Sequence, residues 1–305
     1  INRAFVSAGF VNSGLVVPPQ DPGAPWLLVL RLVHGRLVPP EGVMEAITVE
    51  FANGRSAGLG ADYARDRMPS AGRQPLNAAS IERDFRRLAD DPAIRTVNAQ
   101  LRPGTAPGEA SLHLDIVPED RVNLYLTAAN DRSPSVGGER IAAGGAVRNL
   151  AASGDLLGGE VGTTRGVLDA SLFYSAPVFS PRTRLDLRGS FNRASVVDRP
   201  LVPLDIRARD RGAEASLIHR LVDEPLMPIA EGRWASSRVL SAGLGIAWNR
   251  QRSFLLGEPF SFAPGSVDGR AEYGVARLIG DYVVRNVDQV LALSATASIG
   301  LDGTR

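Results

Sequence analysis

The chain has 305 residues, 44% of them hydrophobic, which is enough apolar material for a core and unlike a disordered tail. It has no cysteine, and all 34 of its basic residues are arginine, which excludes disulfide scaffolds, Cys-ligated zinc, thiol catalysis and the Walker-A, Schiff-base and kinase-lysine chemistries. A net charge of +1 gives no basic excess for nucleic acid, and the longest apolar stretches fall far short of the ~20 residues of a membrane helix.

Residues 1–38 read as the end of a small α/β module. Ile1–Ala8 has a helical pattern that Gly9 can cap, Val11–Val17 and Trp26–Val33 read as strands, and Pro18–Pro25 links them. Residues 43–118 read as β-α-α-β-β. Ile47, Val49 and Phe51 share a strand face, and Asn53-Gly54 breaks that strand. Asp62–Met68 is a short helix. Asn77 can cap a second helix running to about Ala89, because its side chain can accept from an orphan N–H of the first turn. Ile81, Phe85 and Leu88 form the apolar stripe of that helix, and Asp91-Pro92 ends it. Ile94–Leu101 and Ser111–Val117 alternate as strands around Pro103-Gly104 and Pro107-Gly108. Such an order places helices on one face of a sheet.

From residue 121 onward about nine strands follow one another: 121–130, 140–149, 155–163, 167–174, 183–192, 212–221, 239–250, 271–284 and 289–301. Leu168, Ala170, Leu172 and Tyr174 lie opposite Asp169 and Ser171. Leu185, Leu187 and Phe191 lie opposite Arg184, Asp186 and Arg188. Most of these strands approach the ~9–11 residues of a membrane-spanning strand rather than the ~5–6 of an average soluble one. Ten residues tilted by ~45° climb roughly 23 Å, close to the apolar band of an outer-membrane barrel. In that reading Asp169, Arg184, Asp186 and Arg188 face a polar lumen, since a charge facing lipid at mid-depth costs ~2–4 kcal/mol. A soluble β-sandwich would show the same alternation. Strand length, the small Ala/Gly/Leu face and long polar loops favour the barrel. Tyr174, Trp234, Trp248 and Tyr282 sit near expected strand ends as a sparse aromatic girdle.

Candidate chemistry is thin. Gly54-Arg55-Ser56-Ala57-Gly58 matches the G-x-S-x-G nucleophile elbow, but the βαβ repeats that would carry its acid are missing, and His113 and His219 lie inside expected strands. His34, His113 and His219 do not cluster by sequence, so no metal site is expected. Asp90-Asp91 and Glu119-Asp120 read as solvated pairs. Gly137-Gly138, Gly144-Gly145 and Gly158-Gly159 open no helix and cradle no phosphate; in strands such glycines mark bulges or close approach. Arg83, Arg86 and Arg87 read as a solvated basic helix face. No enzyme and no cofactor is expected.

Several segments resemble one family. Gly9-Phe10-Val11-Asn12-Ser13, Val17-Pro18-Pro19-Gln20-Asp21 and Val33-His34-Gly35-Arg36-Leu37 come first. Gln74-Pro75-Leu76-Asn77, Ile81-Glu82-Arg83, Leu88-Ala89-Asp90-Asp91-Pro92 and the L-x-P-G-x-x-P-G of residues 101–108 follow. Asn130-Asp131-Arg132-Ser133, Gly137, Asn149-Leu150, Gly154-Asp155 and Tyr174-Ser175-Ala176-Pro177 complete a collinear set. Together they resemble the two-partner secretion transporters (TpsB, or hemolysin secretion/activation proteins) of Gram-negative outer membranes. The resemblance implies an α+β fold of POTRA (polypeptide-transport-associated) domains followed by a partial antiparallel transmembrane β-barrel. Residues 1–38 would be the remnant of a first POTRA domain, 43–118 a second, and 121–305 the N-terminal part of the barrel. The POTRA domains would sit in the periplasm and bind the secretion domain of an unfolded TpsA-like exoprotein. It would bind by strand addition in a groove lined by Ile81, Phe85 and Leu88, against an edge strand of residues 45–51 or 111–117. The exoprotein would then cross the barrel without ATP. Outer-membrane lipid is the other implied partner, nucleic acid is not one, and a monomer is expected. The family's lumen-inserted V-R-G-[YF] loop, plug helix and signal peptide have no counterpart here, so the chain reads as a window on a longer protein. A barrel assembly factor would use the same modules.

Overall fold

The computed structural model describes residues 2–20, 27–230, 232–262 and 265–301. They divide into two compact units, Ile1–Glu119 with Glu224–Ser236, and Asp120–Asp223 with Ser237–Arg305. No helix among the described residues is long and apolar enough to cross a membrane.

The first unit begins with α1 (Asn2–Ser7), β1 (Gly14–Val16), β2 (Arg31–Val33) and β3 (Arg36–Leu37). Next come β4 (Ile47–Phe51), α2 (Ala61–Arg65), α3 (Ala78–Ala89), β5 (Ile94–Pro103) and β6 (Glu109–Pro118). The β-α-α-β-β order is the expected one. β6 is central. β4 lies parallel to it, Ile47–Phe51 against Leu112–Ile116, and β5 lies antiparallel on the other side. β3 extends the β4 side, because Arg36-Leu37 pairs with Glu109-Ala110. Residues 36–37 therefore complete this sheet instead of closing a separate module. The expected strand from Trp26 shortens to Arg31–Val33, and Leu27–Leu30 are exposed coil. Trp26 itself lies outside the described residues.

Asn77 caps α3, its side chain accepting from Ser80 N–H at 3.1 Å. Alternation on β6 and the i, i+4, i+7 stripe of α3 meet in one core. Leu112, Leu114 and Ile116 pack there with Leu59, Met68, Leu76, Ile81 and Leu88. The basic face of α3 is paired, with Arg86 on Glu82 at 2.7 Å and Arg87 on Asp84 at 3.0 Å. Asp91 is not a solvated carboxylate. It accepts from Tyr63 Oη at 2.8 Å, Arg67 Nε at 2.9 Å and Ala93 N–H at 2.9 Å, and so fixes the turn from α3 into β5.

The second unit is a long antiparallel sheet. Its strands are β7 (Val122–Asn130), β8 (Glu139–Arg148), β9 (Leu156–Thr163), β10 (Val167–Val178), β11 (Ser180–Ser195) and β12 (Arg207–Glu224). A small hairpin of the first unit, β13 (Met227–Ala230) and β14 (Arg233–Ala235), follows in sequence, with Arg86 of α3 5.4 Å from the Trp234 ring. The sheet resumes with β15 (Ser237–Leu255), β16 (Glu258–Pro259), β17 (Arg270–Arg285) and β18 (Val290–Leu301). Its order is β18-β17-β15-β12-β11-β10-β9-β8-β7, with β16 a short addition to β15. Consecutive sheet strands are neighbours throughout, as hairpin connections require. Within the described residues β7 and β18 are edges and the sheet stays open.

Candidate functional site

The nine-strand sheet has almost no core of its own. Its buried hydrophobic residues among those described are Ala142, Ala176 and Ala247; every larger one belongs to the first unit. Most of its exposed apolar side chains gather instead on one face, while Phe173, Ile218 and Ile279 lie on the other. Direct cross-strand partners point to the same side of a sheet. Leu126 pairs with Ala143, Ala143 with Val161, Val161 with Ala170, and Ala170 with Phe191. Leu185 pairs with Leu217, Leu244 with Leu278, and Tyr282 with Leu240 and Leu293. Leu124 (79%), Leu126 (77%), Ile246 (62%) and Ile299 (71%) are exposed to a degree that isolated surface leucines rarely reach together. An apolar face running across nine strands far exceeds the few hundred Å² that soluble monomers leave open.

The opposite face is charged and hydrogen-bonded. Arg140 on β8 reaches Glu160 on β9 at 2.6 Å and Asp169 on β10 at 2.5 Å, and Tyr125 on β7 donates to Glu160 at 2.9 Å. One arginine thus ties together residues from three strands. Arg184 Nε donates to Ser175 at 2.6 Å, and Ser175 also bonds Asp186. Glu214 on β12 pairs with Arg277 on β17 at 2.7 Å, reaching across β15 where Gly245 leaves room. Arg188 lies directly opposite Glu214. Ser171, Phe173, Arg188, Ser190, Glu214 and Arg277 are among the residues that line a concavity of about 490 Å³ on this face.

Asp169, Arg184, Asp186 and Arg188 therefore all lie on the polar face, opposite the exposed leucines. Arg140, Glu160, Glu214 and Arg277 escaped the sequence reading. β8 and β9 are rich in glycine and alanine, so their alternation carries little contrast; only the parity of Arg140 and Glu160 within their strands could have pointed to them. Gly144 and Gly158 mark close approach of side chains, not of backbones. The ring of Tyr125 lies over Gly144 and the ring of Phe173 over Gly158, 2.5 Å from where a Cβ would stand. Of the aromatic girdle, Trp248 and Tyr282 lie on the apolar face, whereas Trp234 belongs to the β13–β14 hairpin outside this sheet.

The peptide-groove residues need correction. Ile81 and Leu88 are buried in the core of the first unit and Phe85 packs against it, so the stripe holds the unit together and lines no open groove. Residues 111–117 lie on β6, the central strand, and present no free edge. The outer edges belong to β4 and β5. On β4 the outward Ile47 carbonyl is already taken by Arg65 Nε at 3.1 Å. β5 pairs only with β6 among the described residues. Ser56 lies in a turn where its Oγ accepts from Gly58 N–H at 3.3 Å, and helix α2 starts five residues later. His113 is not isolated. The parallel register sets Thr48 and Glu50 beside His113 and Asp115, and His113 bonds Thr48 at 2.8 Å and Asp115 at 3.0 Å.

No family model and no curated protein matches this sequence. The fold does match solved structures. CdiB from Escherichia coli aligns at TM-score 0.64 and 16% identity, over 99% of this chain and 51% of that one. CdiB from Acinetobacter baumannii aligns at TM-score 0.58 and 18% identity, over 97% of this chain and 52% of that one. BamA from Haemophilus ducreyi, in a structure lacking POTRA domains 1–3, aligns at TM-score 0.51 and 13% identity, over 97% of this chain and 55% of that one. The chain spans about half the length of each. By fold it is an α/β unit followed by an open antiparallel sheet of the β-barrel kind found in CdiB and BamA.

Proposed function

We propose that the chain is part of an outer-membrane polypeptide transporter of the two-partner secretion type. The observation that carries this reading is the division of the nine-strand sheet into a continuous exposed apolar face and a charged face, with no core between them. A soluble sandwich would cover its leucines with a second sheet. Lipid covers them at no cost in exposed apolar area, and the Arg/Asp/Glu face then lines a hydrated lumen. The likeness to CdiB, a protein of the family that the sequence motifs resemble, supports the same assignment.

In this reading the first unit is a periplasmic POTRA domain and the residues before β3 belong to a preceding one. The L-x-P-G-x-x-P-G motif forms the β5–β6 hairpin, where Gly104 N–H donates to the Glu109 carbonyl at 2.9 Å and Gly108 takes a positive φ of 86°. Arg36 at 3.0 Å and the Ala106 N–H at 3.1 Å donate to the Glu109 carboxyl, tie it to that hairpin and hold it below the usual carboxylate range. The unpaired edge of β5 receives an extended segment of a TpsA-like secretion domain by strand addition. The chain then threads through the lumen, where charges of both signs stay hydrated and hold no passing segment tightly. It acts as a monomer, without ATP, cofactor or bond-breaking chemistry.

Co-expression with a candidate exoprotein tests this. Deletion of residues 43–118 abolishes secretion while the barrel still inserts; undiminished secretion overturns the receptor role. The likeness to BamA favours a second reading, an assembly factor for other barrels. Depletion separates the two: a transporter loses one secreted protein, whereas an assembly factor lowers many outer-membrane barrels at once.

A further inference from the structure

The apolar face ends in arginine at one end of the sheet. The chain enters the sheet at Val122, and alternate strands place residues 193–211 and 250–270 at the far end. On the apolar face of β11, Leu185 and Leu187 are followed by Phe191 and then Arg193. On β15, Leu244, Ile246 and Trp248 are followed by Arg250 and Arg252. Arg193 lies directly opposite Arg209, and Arg252 directly opposite Arg270. Like charges directly opposite on a sheet destabilise it unless an anion lies between them. Neither Arg193, Arg209 nor Arg252 has a carboxylate partner among the described residues. Arg270 and Arg250 share the single carboxylate of Glu272. Arg209 lies 5.6 Å from the Phe254 ring, and the neighbouring Arg211 5.9 Å from the Phe191 ring, so aromatic faces flank the arginines at this end. A second observation lies just inside the arginines. Leu187, Ala213, Ala215, Ile246 and Trp248 help to line a largely apolar recess of about 590 Å³ on the same strands.

We infer that the Arg193–Arg209 and Arg252–Arg270 pairs bind the phosphate groups of a phosphorylated lipid of the outer leaflet, with an acyl chain in the recess. Guanidinium forks match phosphate oxygens two at a time, and a doubly phosphorylated headgroup can neutralise both pairs at once. This rests on the membrane reading above. It adds a specific lipid site on the outward face, near the end where the outer leaflet lies.

The test titrates the full chain in phosphatidylcholine nanodiscs with lipid A, its monophosphorylated form and inorganic phosphate, and follows Trp248 fluorescence and native mass. Lipid A binds at least tenfold more tightly than the monophosphorylated form, and inorganic phosphate does not compete at equal concentration. R193Q/R209Q weakens lipid A binding about tenfold, and R83Q on α3 does not. Equal affinity for both lipid forms, or an unchanged affinity in R193Q/R209Q, overturns the site. The comparison of lipid forms uses the unaltered protein, so a misfolded variant cannot hide the answer. A chain that inserts into the bilayer but ignores phosphate number refutes only this site. A chain that fails to insert refutes the membrane reading as well.

Discussion

Asp155 shows how a single side chain sets a hairpin. It is 1% exposed and accepts from the N–H groups of Leu150, Ala151 and Ala152 at 2.7, 2.8 and 2.9 Å, and from Tyr174 Oη at 3.0 Å. Asn149, at a φ of 53°, closes the same turn by accepting from Gly154 N–H at 2.7 Å. Burial pushes the Asp155 carboxyl up, but the N–H donors outweigh it and hold the group below the usual carboxylate range. A carboxyl lowered by folding stabilises the folded state above its unfolded pKa, and that contribution disappears as pH falls through the lowered value. Asp155→Asn puts an NH₂ where N–H donors converge and costs ~2–3 kcal/mol. Urea unfolding in lipid checks this, and the gap between variant and parent should close as pH drops below the carboxylate range. The Asn149/Asp155 pair was legible in the sequence only as a family-like motif; the three convergent N–H groups that make Asp155 matter come from the fold of the turn. Asp91 is a similar case. Beside Asp90 it reads as solvated, and only the packing of Tyr63 from α2 and Arg67 from the turn after it makes it an anchor.

At the level of elements, strands were more legible than helices. The period-2 pattern marked most of the nine sheet strands, because they have an apolar face and a polar face, and it was weakest in the glycine-rich β8 and β9. Boundaries were less clear. β12 and β15 extend well beyond the alternating core of their patterns, to 18 and 19 residues, since pairing with a long neighbour needs only backbone. The helical stripe of α3 was visible, but its use was not. Ile81 and Leu88 cover the sheet, and an apolar stripe alone does not distinguish a core face from a binding groove. β8 and β9 were marked by their glycines, whose purpose is to admit Tyr125 and Phe173. Gly144→Val should therefore drive a methyl group into the Tyr125 ring and cost ~1–3 kcal/mol, read as a lower unfolding midpoint in lipid. Gly280→Val, at a glycine with open space around its Cβ position, should cost much less.

For the whole molecule, the two faces of the sheet decide the reading. Strand count and the polar assignment of Asp169, Arg184, Asp186 and Arg188 could be read from alternation, whereas the lack of a second layer over the apolar face among the described residues could not. The proposed membrane reading rests on that feature, which depends on three-dimensional packing. A charge on the apolar face should accordingly be costly and one on the polar face cheap. Ile246→Arg is expected to lose ~2–4 kcal/mol and Ser190→Arg much less, measured by refolding into bilayers.

The most direct measurement uses the absence of native cysteine. Single cysteines placed in turn at residues 239–248 of β15 can each carry a nitroxide, with collision rates against oxygen and a water-soluble nickel chelate read by spin resonance in bilayers. Oxygen contact should peak at residues 240, 242, 244 and 246, and nickel contact at 241, 243, 245 and 247. Equal nickel contact along the whole strand, with no period of two, would contradict a lipid-facing sheet.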